Sequence, residues 1–370
     1  MRLIETGAAL ILLLLAPFPA LAERFRTSAG EVEVSQMANG LKVPWSLAFL
    51  PDGDWLVSER GGRLLLITEG AARPVTGLPE VWAEGQGGLL DVAVAKDYAT
   101  SREIFLSYAE RRGAGGGTAL AVAKLDEDAA TLGDLHVIFR QEPPLPGSAH
   151  FGGRVVEAPD GTVFLSLGER QERDRAQYLD NDQGKIVRIR RDGQPAARNP
   201  FAGRADARAE LWSFGHRNPQ GMALGPDGAL WVTEHGPKGG DEVNRIAPGR
   251  NYGWPTVSFG EEYSGGRIGV GTEAPGMEAP RHVWIPSIAP SGLMVYSGKL
   301  WPRWQGELFT GSLKFDYLSR LSPDGRDEAE RMLEGEFTRI RDIREAPDGS
   351  IWFISETEGA VLRMAPAPAS

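Results

Sequence analysis

His150 heads the run His150-Phe-Gly-Gly-Arg154, and Glu169 follows nineteen residues later. Between them lie an apolar stretch and a Pro-Asp-Gly turn, the interval that runs a chain out along one strand and back along the next. Such a path can return the carboxylate to the imidazole. An imidazole held by a carboxylate is the usual way to build a general base near neutral pH. Gly152 and Gly153 let a bulky ligand approach the backbone closely. Alone, the pair reads equally well as a surface histidine and a solvated glutamate.

Further along, cations and amides recur. Arg217 and Asn218 sit in Gly215-His-Arg-Asn-Pro-Gln-Gly221, Lys314 ends Gly311-Ser-Leu-Lys314, and Arg339 and Arg341 flank Ile340. In an extended segment residues i and i+2 point the same way, so the last two guanidiniums can face one ligand. Arginine forks suit carboxylates, and lysine adds a compact charge. Each alone reads as an ordinary surface ion pair; together they suit a polyanion. Glu234-His-Gly-Pro237, with Asp241 and Glu242, offers carbonyls and carboxylates of the kind calcium takes. There is no EF-hand spacing, and His136, His216, His235 and His282 lack the His-Glu-x-x-His pattern. Asn251-Tyr-Gly-Trp-Pro255 reads as aromatic packing and a turn.

The elements that carry these residues repeat. Apolar alternation, a Pro-Asp-Gly turn and a second β-rich run recur at 47–57, 155–165, 222–232 and 343–353. Proline pre-sets the turn and Asp-Gly completes it, so each unit predicts a hairpin. Weaker copies pair Leu90–Val94 with Glu103–Tyr108, and Leu293–Tyr296 with Gly306–Gly311. Third strands follow at Arg63–Ile67, Lys185–Ile189 and Ala360–Met364. Six units of three or four strands predict an all-β, six-bladed propeller with four-stranded antiparallel blades, and no linker divides it. A pair of sandwiches would supply strands but not the recurrence. In a propeller, loops at one end line a funnel, so residues distant in sequence can converge there.

Composition narrows the class. The chain has 47 glycines, 26 prolines, ten tryptophans and no cysteine, which excludes disulfides, thiolate metal sites and covalent haem attachment. Its net charge of −10, with no long basic run, argues against nucleic acid. Residues 1–22 read as a cleaved export signal: Arg2, the apolar run Ala8–Ala16, then Ala20-Leu-Ala22. That run is shorter than the ~20 residues of a membrane span. Residues 23–370 are then a single exported domain, periplasmic or secreted, with no membrane span.

Taken in order, His-x-Gly-Gly-Arg, Gly-His-Arg-Asn-Pro-Gln-Gly, Glu-His-Gly-Pro with Asp-Glu, and Arg-x-Arg before a Pro-Asp-Gly turn resemble the soluble quinoprotein glucose and aldose sugar dehydrogenases. The resemblance runs from about Val43 to Met364. It implies pyrroloquinoline quinone and calcium as cofactors, an aldose as substrate and a separate electron acceptor. By position, it implies that His150 is the base for the sugar's C1 hydroxyl and that Glu169 orients it. It places Gln86, Arg217, Asn218, Tyr263, Ser287, Lys314, Arg339 and Arg341 on the quinone, with Arg217 also offsetting charge that develops there. The carbonyls of Gly236 and Pro237 match calcium ligands. Aldose-type members imply a second calcium at Glu242 and the Tyr252 carbonyl. Two departures stand out: Ser287 replaces a threonine of glucose-type members, and Glu169 replaces an aspartate. Loops shorter than in those members imply an open funnel and broad aldose acceptance. The competing readings are a calcium-dependent propeller lactonase and a non-catalytic binding propeller.

Overall fold

The computed structural model describes residues 22–368. The expected export signal therefore lies, apart from Ala22, outside the described residues. Six antiparallel sheets form the propeller, five of four strands and one of five. Their inner strands are Pro44–Phe49, Leu89–Val94, Gly152–Glu157, Pro219–Leu224, Pro290–Val295 and Ile340–Glu345, numbered here as blades 1 to 6. The Pro-Asp-Gly hairpins hold the register their alternation predicts, pairing Leu47 with Val57, Val155 with Leu165, Met222 with Val232 and Ile343 with Phe353. The turn glycines Gly53, Gly161, Gly228 and Gly349 all take positive φ, which a β-carbon would strain.

Blade 6 holds two strands that the repeat did not reveal. Its three C-terminal strands are completed by Gly30–Ala38 and Glu23–Thr27 from the other end of the chain, with Val34 opposite Met364. This closure ties the ring without a disulfide. One apolar cluster fills each interface between neighbouring blades. Leu56, Leu66, Leu106 and Ala121 join blades 1 and 2, for example, and Tyr296, Phe309, Ile343 and Phe353 join blades 5 and 6. Face-to-face sheet packing of this kind supplies the stability.

Three devices position the channel end where the functional residues gather. Every inner strand has a register irregularity near its start, such as between Gly152 and Val155 and between Ile340 and Asp342. Such bulges re-aim side chains next to sites. In three blades a hydroxyl on the second strand tethers the blade to its neighbour's inner strand: Ser58 Oγ donates to the Leu90 carbonyl at 2.6 Å, Ser107 Oγ to that of Gly153 and Thr233 Oγ1 to that of Ser291 at 2.9 Å. Finally, a glutamate ends or closely follows the second strand in four blades: Glu59, Glu169, Glu234 and Glu356. Each reaches back to the segment that enters its own blade. Glu59 accepts from the Lys42 amide at 2.7 Å and Glu234 from that of Arg217 at 2.8 Å.

Deeper in the channel lies a quartet of charges, three of them buried and Arg344 partly so. Arg154 Nη1 sits 3.0 Å from both Asp91 Oδ1 and Asp342 Oδ1. Arg344 completes the set at 2.9 Å from Asp91 and 3.0 Å from Asp342. Arg154 also lies over the Trp45 ring, 4.3 Å from its centroid. The quartet is neutral, which removes the cost of isolated buried ions.

Candidate active site

His150 precedes the inner strand of blade 3, and Glu169 follows the second. The hairpin brings His150 Nδ1 to 2.6 Å from Glu169 Oε2, with the carboxylate only 2 % exposed. His150 has a left-handed backbone, φ 53°, so its ring is aimed by a conformation few residues adopt. Its amide donates to Gln86 Oε1 at 2.8 Å. Behind it, a β-carbon on Gly168 would collide with the His150 carbonyl. Gly168→Ala should therefore shift the histidine against its carboxylate and cut turnover about 10²-fold. An unchanged melting temperature would localise the loss to the site, and full turnover would show that this close approach is immaterial.

A cavity of 640 Å³ opens above His150, lined by Gln86, Arg217, Gly236, Pro237, Tyr263, Ser287 and Lys314. A smaller chamber of 180 Å³ continues inward, sharing Gln86 and lined by Asn218, Arg339 and Arg341. A third space, of ion size at 20 Å³, touches Arg217, Gly236, Pro237, Glu242 and Tyr252. Every site candidate except Glu169, which is buried behind His150, thus lines one of three spaces that share residues with one another.

The polar groups around them share one orientation. Gln86 spends its oxygen on the His150 amide, and Asn218 Oδ1 accepts from Gly152 N and Gln220 Nε2, both at 3.2 Å. Both amides therefore present NH₂ groups. Arg217 Nη1 donates to the Gly236 carbonyl at 2.9 Å, while its buried Nε has no partner among the described residues. Lys314 is exposed on the rim, its Nζ 4.9 Å from the Phe315 ring centroid. Tyr263 is 74 % exposed there.

Arg339 and Arg341 converge for a different reason from the one their spacing predicts. Arg339 has φ 48° and precedes a bulge, so the segment is not regularly extended. Both side chains meet on Glu356 instead, Arg339 Nε at 3.0 Å from Oε1 and Arg341 Nε at 2.7 Å from Oε2. Burial alone would raise the Glu356 carboxyl, but Arg341 and then Arg339 hold it below the usual range.

Asp241 is engaged within the protein. Its Oδ1 accepts from Gly236 N at 2.8 Å and Ser287 Oγ at 3.0 Å, and its Oδ2 from Ala289 N at 2.7 Å. Asp241 thereby shapes the Gly236-Pro237 loop. Ser287 is likewise engaged by that loop, accepting from Gly239 N at 3.0 Å.

The ion-sized space suits a cation. Burial, and then repulsion by Glu234, pushes Glu242 up to about 8, with Asn244 opposing. The Tyr252 carbonyl accepts no backbone hydrogen bond among the described residues, and the Pro237 carbonyl meets only Ser287 Oγ at 3.5 Å. A carboxylate short of positive charge beside two open carbonyls is a calcium donor set.

Three residues went unread in the sequence. Glu356 was visible as the blade 6 counterpart of Glu169. Gln220 links Asn218 to Arg341, whose Nη1 donates to Gln220 Oε1 at 3.1 Å. His235 lies between the chambers with Nε2 2.9 Å from the Pro290 carbonyl. Burial, then Arg341 and Arg217, push it down to about 3, so it is a neutral donor to that carbonyl.

Comparison with known proteins settles the family. A family model described as glucose / sorbosone dehydrogenase matches residues 41–363. The chain belongs to that family. This sugar dehydrogenase is 42 % identical over 362 residues to aldose sugar dehydrogenase YliI of Escherichia coli K12, covering 95 % of the chain and 98 % of the relative. The crystal structure of the apo-form of the E. coli soluble aldose sugar dehydrogenase superposes with a TM-score of 0.87 at 43 % identity, over 91 % of this chain and all of that one. The PQQ-bound aldose sugar dehydrogenase of Streptomyces coelicolor superposes with a TM-score of 0.74 at 29 % identity, over 94 % and 99 %. Among the described residues, no helix of this dehydrogenase is long and apolar enough to cross a membrane.

Proposed function

We propose that this dehydrogenase oxidises aldoses at C1 to the lactone, using pyrroloquinoline quinone and calcium, and passes the electrons to a separate acceptor outside the cytoplasm. One observation carries the reading: amides and cations from four blades turn their donors into one cavity beside a carboxylate-held imidazole. That lining suits a flat ligand rich in carboxylates and carbonyls.

When bound, the quinone supplies the acceptor for the C1 hydride, and calcium supplies a Lewis acid that polarises it. The chain's own part is as follows. Glu169 holds His150 by Nδ1, so Nε2 is the nitrogen left to take the proton of the C1 hydroxyl. The same carboxylate then stabilises the imidazolium. Arg217, Asn218, Lys314, Arg339 and Arg341 would hold the quinone's oxygens, with Gln86, Tyr263 and Ser287 beside them. Donors fixed before reaction cost no reorganisation as charge builds up. The carbonyls of Gly236 and Pro237, which also line the larger cavity, would hold the catalytic calcium there, and Glu242 with the Tyr252 carbonyl would hold a second ion in the ion-sized space.

The test is reconstitution. Apo-protein should reduce an artificial dye with glucose or another aldose only when both quinone and calcium are added. EGTA should abolish that activity, and excess calcium should restore it. Lactone hydrolysis with calcium alone would place the chain with the propeller hydrolases instead.

A further inference from the structure

We infer that Glu356 is a positioning residue: a single carboxylate that holds two guanidiniums side by side and turns their remaining donors into the inner chamber. The inference rests on the quinone reading above for the identity of the ligand, but not for the geometry.

Four blades use a glutamate at the end of the second strand to fix the segment that enters the same blade. In blades 1 and 4 the glutamate takes a backbone amide, of Lys42 and of Arg217, and in blade 4 its other oxygen meets the His216 ring at 2.9 Å. In blade 3 it takes the ring of His150, and in blade 6 it takes two arginine side chains. The fold thus repeats one device and varies what it grips. Glu356 stands to the cationic pair as Glu169 stands to the base.

The details support an orienting role over a chance ion pair. Glu356 engages one Nε with each oxygen, so neither arginine competes for the other's partner. The backbone joins in, since the Glu356 amide donates to the Arg339 carbonyl at 3.0 Å. Each arginine has one further anchor on its Nη1: Arg339 on the Leu313 carbonyl at 3.2 Å, and Arg341 on Gln220 Oε1 at 3.1 Å. With Nε and Nη1 both engaged, Nη2 is the nitrogen left on each fork, and both residues line the inner chamber. Two neighbouring guanidiniums repel one another, and the carboxylate they share offsets that repulsion. The group leaves a net charge of +1 at this wall, from two arginines and one glutamate.

Glu356→Gln keeps the size but offers one acceptor and an NH₂ facing a donor. The expected result is a quinone Kd weakened by about tenfold or more, the scale of one lost charge-assisted bond. Sugar KM at saturating quinone should stay near wild type, because His150 and Glu169 are untouched. Glu356→Asp, which keeps both oxygens on a shorter arm, should recover part of the affinity. If the glutamine variant fails to fold, the aspartate variant is judged by the same weakening. An unchanged or tighter Kd would overturn the inference, since it would mean that the carboxylate merely opposes an anionic ligand. A crystal structure of Glu356→Gln gives the second readout. Arg339 and Arg341 should part from their paired positions, and arginines left in place would overturn the positioning role. Should wild-type protein bind no quinone, the cofactor reading falls, while the arginine positions still decide the role of Glu356.

Discussion

His150→Ala should lower turnover about 10²–10⁴-fold, the usual worth of general-base assistance, while quinone affinity changes little. The expectation follows from the division of labour around the cavity. The ring touches the space where a sugar would sit, and its Nδ1 is committed to Glu169 at 2.6 Å. The cofactor's proposed donors come from other residues: Arg217, Asn218, Lys314, Arg339 and Arg341. Stopped-flow reduction of the bound quinone by glucose reads the chemical step directly. Near-normal reduction in the variant would move the base elsewhere. Glu169→Gln should fall between the two, because the ring stays in place but loses the charge that stabilises its protonated form.

Asp91→Ala should lower the free energy of unfolding by about 3–5 kcal/mol, the cost of leaving a buried charge without its partner. Asp91 is fully buried and accepts from Arg154 at 3.0 Å, Arg344 at 2.9 Å, Ser46 Oγ at 2.5 Å and the Val155 amide at 2.8 Å. Those partners come from blades 1, 3 and 6, so one carboxylate ties the inner strands of its two neighbours and of one blade beyond to its own. Removing it leaves two arginines facing a single aspartate. Urea unfolding of apo-protein measures the loss, and a loss under about 1 kcal/mol would mean that water or rearrangement replaces the carboxylate.

The propeller was legible because its hairpins announce themselves. Pro-Asp-Gly turns and period-two alternation are local signals, and each register followed from them. The closure of blade 6 by Gly30–Ala38 was not, because strand pairing across the whole chain leaves no local trace. The His150–Glu169 pair was readable for the same reason as the hairpins, since both residues belong to one turn of chain. The pairing of Arg339 with Arg341 was anticipated on the wrong ground. Strand periodicity pointed to it, whereas a left-handed residue, a bulge and a shared glutamate produce it. Asp241 shows what spacing leaves out: an acidic residue beside a calcium-type loop also accepts from that loop's amides. Side-chain partners chosen from several candidates are decided by tertiary packing, which spacing along the chain does not encode.

Quinone binding to calcium-loaded apo-protein, titrated by calorimetry with Arg217→Ala and Arg341→Ala in parallel, tests most directly whether donors from separate blades enclose one ligand. Saturable binding of a single quinone per chain, weakened in both variants, is the predicted result. No saturable binding, or affinity indifferent to both arginines, would contradict it.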